Sequence, residues 1–183
     1  MAGKLKGQLL IASPSIHDPN FRRAVVYMTE HGEEGAMGLI LNRAAETSVG
    51  EAVPDLAWLA EGGAVVHVGG PMSPQSVVVL AEFDEPDRSA LLIDEDLGFV
   101  PADVQDTDEL AEVLGRRRVF AGHAGWGPGQ LEAEMEEESW IVEPARHEDV
   151  FTERPEELWS SVLRRKGRDY ALLSTMPMDP SLN

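Results

Sequence analysis

The chain has 183 residues, 43% hydrophobic and 26% charged, with a formal net charge of −18 at pH 7 and no cysteine. That length suits one domain with a real hydrophobic core, and residues 1–183 read as a single unit. Without cysteine there are no disulfides, no thiolate catalysis and no cysteine-held zinc or iron–sulfur site. So negative a chain repels nucleic acid and anionic membranes at long range, so neither is an expected direct partner.

The N-terminal residues lack the apolar core of a secretion signal, and no apolar run of membrane-spanning length follows. The expected compartment is the cytoplasm. Residues 8–13 form a short apolar run stopped by Pro14, which suits a buried strand. Asp18, Pro19 and Asn20 have turn chemistry. Residues 24–29 are β-rich, residues 31–35 read as a turn of several residues, and residues 36–42 return as a second strand. Both arms of this hairpin are nearly continuous in apolar residues, so both faces need cover.

Residues 50–63 fit one or two short helical turns interrupted at Pro54. Strands are expected at 64–68, 76–81, 90–93 and 97–100, with hard turns at Gly69-Gly70-Pro71 and a loop around Pro86. Asp106 and Glu109 have capping spacing for a helix running to about Gly115. Arg116, Arg117 and Arg118 read as the basic last turn of that helix. A strand at 118–121 then leads into the densest stretch of signals in the chain.

Residues 120–140 read as a strand end, a glycine-dense turn and an acidic helix. Gly122, Gly125, Gly127 and Gly129 fall at nearly alternate positions, and glycine allows close approach to the main chain. Pro128 suits a first helical position, where the missing N–H costs nothing. His123, Trp126, Gln130 and Glu132 surround the turn. The cluster Glu134 and Glu136 to Glu138 reads as a solvated helix face. Residues 140–142 form a strand, Pro155 opens a helix with an apolar face at Leu158, Trp159, Val162 and Leu163, and Gly167 stops it. Residues 169–174 fit a strand or a helical turn, and the tail from Met176 is irregular. Strict strand–helix alternation is absent, so the fold class is α+β with a mixed, largely antiparallel sheet.

Among the five histidines no pair has metal-binding helical spacing, so no metal or other cofactor is expected. His67, inside an apolar strand, reads as a satisfied core histidine. No serine sits in Gly-x-Ser-x-Gly, and residues 125–130 match neither the phosphate loop nor the dinucleotide fingerprint. No residue is assigned as catalytic. Arg22, Arg23, Asn42 and Arg43 gather where the hairpin strands begin and end, and could form a shallow cleft. The candidate ligand-binding residues are His31, Asn42, Arg43, Trp126, Gln130 and Glu132.

An ordered set of motifs carries a family resemblance. Leu10-Ile-Ala-Ser-Pro14, Asp18-Pro-Asn-Phe-Arg22, Val25-Val-Tyr-Met28 with Glu30-His31, and Gly35-Ala-Met-Gly-Leu-Ile-Leu-Asn-Arg43 resemble the bacterial YqgE/AlgH family. So do Gly69-Gly-Pro-Met72, Gly125-Trp-Gly-Pro-Gly-Gln-Leu-Glu132, Trp140, Leu158-Trp159, Tyr170-Ala-Leu-Leu-Ser174, Met176-Pro177 and Asp179-Pro-Ser-Leu-Asn183. The resemblance spans the chain. It implies a bifurcated or barrel-like sheet flanked by helices, in a soluble cytoplasmic bacterial protein. It implies no chemistry: the family is uncharacterised, and some members are labelled transcriptional regulators linked to alginate synthesis. His123 stands where the family motif commonly carries tyrosine, which counts against a catalytic base there.

The expectation is a binding or regulatory protein with a small-molecule or protein partner, rather than an enzyme. The alternative is a small-molecule hydrolase or other enzyme using a His/Glu pair in a shallow cleft. A direct DNA-binding regulator needs a basic face or a helix–turn–helix, and neither is evident.

Overall fold

Successive residues of a strand point to opposite faces, so a strand that is apolar throughout needs cover on both. In the computed structural model, which describes residues 4–60 and 62–177, β1 (Gln8–Ala12) and β2 (Val25–Gly32) are such strands. Leu9, Ile11, Val25 and Tyr27 lie in one core cluster with Leu158, Trp159, Val162 and Leu163. Leu10, Ala12, Val26 and Met28 lie in a second, with Trp126, Leu131 and Trp140.

The hairpin partner of β2 is β3 (Gly35–Ile40), followed by β4 (Ala44–Ser48), α1 (Val49–Ala52), a 3-10 turn (Pro54–Leu59) and β5 (Val65–Val68). Next come β6 (Met72–Phe83), a 3-10 turn (Pro86–Arg88), β7 (Leu91–Asp94), β8 (Leu97–Phe99), α2 (Thr107–Glu112) and β9 (Leu114–Trp126). The chain continues through α3 (Gln130–Glu136), β10 (Trp140–Pro144), α4 (His147–Val150), α5 (Pro155–Lys166) and α6 (Arg168–Leu173). The strands form one open sheet in the order β10-β1-β2-β3-β9-β6-β8-β7. It forks at β9, which pairs antiparallel with β6 and β3 and parallel with β5, and β5 carries β4. The fold is therefore α+β with a bifurcated sheet that does not close. A third core cluster, including Val49, Leu59, Phe83 and Leu110, fills the branch below α1 and α2.

Several expectations change. The hairpin loop is two residues, Glu33 and Glu34, because β2 extends to Gly32 opposite Gly35. His31 is therefore in a strand, paired with Ala36. Arg116, Arg117 and Arg118 lie in β9 and not at a helix end: the cross-strand pairing with β6 overrides the local charge pattern. Gly122 and Gly125 also lie inside β9, so the glycine-dense stretch is mostly strand. Gly122 takes φ 74, where a Cβ would come within 2.5 Å of the Gly70 carbonyl oxygen; the chain needs glycine to pass there. The exposed strand β4 was not foreseen, since Ala-Ala-Glu-Thr-Ser has no apolar alternation. Residues 168–173 settle as a helix. The capping bond from Glu109 N–H to the Asp106 carboxylate forms at 2.9 Å, as expected. Of the tail read as irregular, residues 178–183 lie outside the described residues.

Candidate functional site

The end of the β2–β3 hairpin is built by one side chain. Asn42 Oδ1 accepts the Val25 N–H at 2.9 Å, and Asn42 Nδ2 donates to the Arg23 carbonyl at 2.7 Å. The amide thus continues the ladder beyond the last paired residues. It also holds Arg23 at φ 54, a left-handed conformation uncommon for a side-chain-bearing residue. Asn42 fastens the loop and is not free to contact a ligand through both ends of its amide.

That clasp sets the directions of the arginines. Arg23 lies over the Trp159 ring, 4.6 Å from its centroid, and donates to the Met176 carbonyl. Arg43 donates to the Arg22 carbonyl, with a longer bond of 3.5 Å to the Asn42 carbonyl. Arg22, Arg23, Asn42 and Arg43 share a groove of about 220 Å³ with Pro155, Glu156, Trp159 and Ser160. Arg43 also lines an adjoining groove of about 300 Å³ with Asn20, Val68 and Pro71. Burial lowers the pKa of both Arg23 and Arg43, with the Arg22 charge adding to the effect on Arg23. Among the described residues none of these three arginines has a carboxylate within ion-pair distance, whereas Arg88, Arg116, Arg154 and Arg165 all do.

His31, Gln130 and Glu132 do not reach this rim. They lie at the other end of the hairpin, roughly 20 Å away at about 3.3 Å of rise per strand residue. His31 Nε2 meets Glu132 Oε1 at 2.8 Å, and Nδ1 accepts the Leu5 N–H at 3.3 Å. With Nδ1 accepting, the ring proton is on Nε2 and is donated to the carboxylate. The His31 bond holds the Glu132 carboxyl below its usual range.

Trp126 and Gln130 belong to a third arrangement. Glu134 accepts the Trp126 indole N–H at 2.9 Å, the Trp140 indole N–H at 2.8 Å and the Gln130 amide at 3.1 Å. Gln130 Oε1 takes the Gly127 N–H in turn at 3.1 Å, so that donor is spent within the chain. Phe21 completes an aromatic cluster with the two indoles. Glu134 is therefore the hub of this clasp and not a solvated helix position. The i, i+4 spacing of Gln130 and Glu134 was the available signal for it. Pro128 is not the first helical residue: Gly129, at φ 74, is the N-cap of α3. His123 makes no side-chain hydrogen bond among the described residues.

His67 is buried in the sheet against Phe120, yet its Nδ1 has no hydrogen-bond partner, so it is a core histidine but not a satisfied one. Burial, reinforced by the Arg118 charge, pushes its pKa down to about 4. Among the described residues no cluster of three or more His, Asp or Glu side chains could hold a metal ion. No helix among them is long and apolar enough to cross a membrane.

The sequence pattern of the AlgH-like family matches residues 9–171. The chain belongs to the AlgH-like family. A UPF0301 protein of Streptomyces coelicolor is 44% identical over 98% of this chain and 95% of its own length. Another from Thermobifida fusca is 40% identical over 98% and 96%. The crystal structure of a Corynebacterium diphtheriae protein, 30% identical, superposes with a TM-score of 0.85 and covers 94% of this chain and 92% of that one. The solution structure of the AlgH protein from Pseudomonas aeruginosa, 32% identical, gives a TM-score of 0.69 with 94% of each chain covered. These relatives place the chain in an uncharacterised AlgH-like, UPF0301 family and carry no assigned chemistry to the rim or the clasp.

Proposed function

We propose that this AlgH-like protein is a cytoplasmic, non-enzymatic binding or regulatory protein that takes an anionic small molecule at the arginine rim. One observation carries the reading. In a chain with 33 acidic and 15 basic residues, Arg22, Arg23 and Arg43 converge on one groove without a carboxylate partner among the described residues. Each guanidinium has five N–H donors in a planar fork that matches phosphate or carboxylate. The carbonyl bonds of Arg23 and Arg43 use one or two of these and orient the rest. Glu156 on the same groove confines the anionic group to the arginine side.

Isothermal titration with inorganic pyrophosphate, nucleoside phosphates and citrate tests this at low and moderate salt. Binding is expected to weaken as salt rises and to fall by about tenfold in Arg43→Gln or Arg22→Gln, on the order of one charge-assisted contact. A wild-type protein that takes none of these anions at low salt sinks the reading.

The 2.8 Å His31–Glu132 contact is what favours the alternative, an enzyme using a His/Glu pair. Against it, Nδ1 already accepts the Leu5 N–H, which leaves no ring nitrogen to take a proton from water. The pair fits a strut between the N-terminal turn and α3. Any regulatory effect runs through a bound ligand or a protein partner, since a net charge of −18 opposes direct contact with DNA.

A further inference from the structure

We propose that the cavity beside Trp58 is a second ligand site, for a small amphipathic cation with an apolar body and one ammonium group. The cavity holds about 500 Å³, well within the range of small-molecule sites. It is separate from the arginine rim and does not depend on the reading given for it. Its walls are apolar, with Leu56, Val79, Phe99 and Val104 among them, and its charged lining residues are two carboxylates, Glu30 and Asp55. No arginine or lysine lines it.

Three features set these groups apart from ordinary surface acids. Glu30 and Asp55 are exposed and form no ion pair and no side-chain hydrogen bond among the described residues, so both carboxylates are available to a cation seated against the apolar wall. A register shift between Met28 and Glu30 places Glu30 opposite Met37, another lining residue; the Thr29 hydroxyl, buried at the bulge, donates to the Met37 carbonyl at 3.2 Å. Bulges of this kind re-aim a side chain. Finally, the indoles of Trp126, Trp140 and Trp159 are each fixed by a hydrogen bond, to Glu134, Glu134 and the Ala12 carbonyl. Trp58, half-buried on the cavity wall, has no such bond among the described residues, and its ring face is the kind of surface that attracts a cation. An apolar body displaces water from the valine wall, and the ammonium lies between the indole and the carboxylates. The negative charge of the whole chain draws such a cation in at long range.

The full chain is titrated with octylammonium, octanol and octanoate, three eight-carbon probes with cationic, neutral and anionic head groups. Binding is read by calorimetry and by the indole N–H signals of the four tryptophans. Octylammonium is expected to bind about tenfold more tightly than octanol, with octanoate weaker still, and to shift the Trp58 signal. The exposed pair Glu30→Gln with Asp55→Asn should erase the head-group preference and leave octanol unchanged, and Trp58→Ala should weaken all three probes. Equal affinities, a preference that survives the double substitution, or shifts confined to the other three indoles would overturn the proposal. So would a dimer that must dissociate before octylammonium binds, since the cavity would then seat a second copy of the chain.

Discussion

Trp126 and Trp140 meet edge to face with ring centroids 5.9 Å apart, and both indoles donate to the same oxygen of Glu134. The two rings are almost fully buried, so neither N–H has ready access to water. Glu134→Ala should destabilise the fold by about 3 kcal/mol, because two buried donors lose their acceptor at once. Glu134→Gln should cost less, since its amide oxygen still accepts. Urea unfolding followed by near-ultraviolet circular dichroism reads both, and a loss under about 1 kcal/mol for the alanine variant would mean that the indoles find another acceptor.

The His31–Glu132 pair should behave differently. The Glu132 side chain is 53% exposed, so solvent screens the interaction even though His31 is buried. Glu132→Gln is therefore expected to change stability by less than about 1 kcal/mol and to keep the fold. If this pair were catalytic, the same substitution would abolish turnover of the true substrate while leaving the unfolding curve in place.

Asp149 makes the opposite case. It is 5% exposed and takes Arg165 in a two-point contact at 2.8 and 2.9 Å, with the Arg146 N–H also bound at 2.8 Å. Asp149→Ala should cost roughly 2–4 kcal/mol, because the partly buried guanidinium loses its two-point partner and keeps only Glu143, at 3.6 Å, and the Pro144 carbonyl. Pairing it with Arg165→Met should recover much of that loss in thermal melts; a strictly additive double variant would contradict the account.

His67 makes stability depend on pH. Its folded pKa, about 4, lies below the ordinary 6.5 because burial penalises the imidazolium. Above pH 6.5 the ring is neutral in both states. As pH falls from 6.5 to 4 the unfolded chain takes up a proton that the folded chain refuses, so stability is lost across that window and levels off below it. The loss is on the order of 3 kcal/mol. Unfolding free energies measured from pH 7.5 to 4 should therefore drop more steeply for the wild type than for His67→Leu. Parallel curves would show that His67 is protonated in the folded state.

The hairpin of residues 25–40 was legible because β-branched and apolar residues run without interruption on both arms, and a strand buried on both faces needs that composition. The helix at 155–166 was legible from the spacing of Leu158, Trp159, Val162 and Leu163, all four of which are buried. The cap at Asp106 was legible because its partner is only three residues away. The course of β9 was not. Arginines and glycines carry little strand propensity, and the stretch is held by β6, β3 and β5, which lie far from it in sequence.

The sites divide along the same line. Composition by itself determined the absence of thiol and disulfide chemistry and the strong negative field, and the order of locally periodic segments determined the α+β class. The gathering of Arg22, Arg23, Asn42 and Arg43 at one rim followed from adjacency to the two ends of a single hairpin. Only the tertiary structure decided that His31, Gln130 and Glu132 lie at the far end of that hairpin, that Glu134 holds two tryptophans, and that Glu30 and Asp55 line the same cavity. Each of those facts depends on the pairing register and on contacts between elements distant in sequence. A one-residue change in register would send the same side chains to the opposite face.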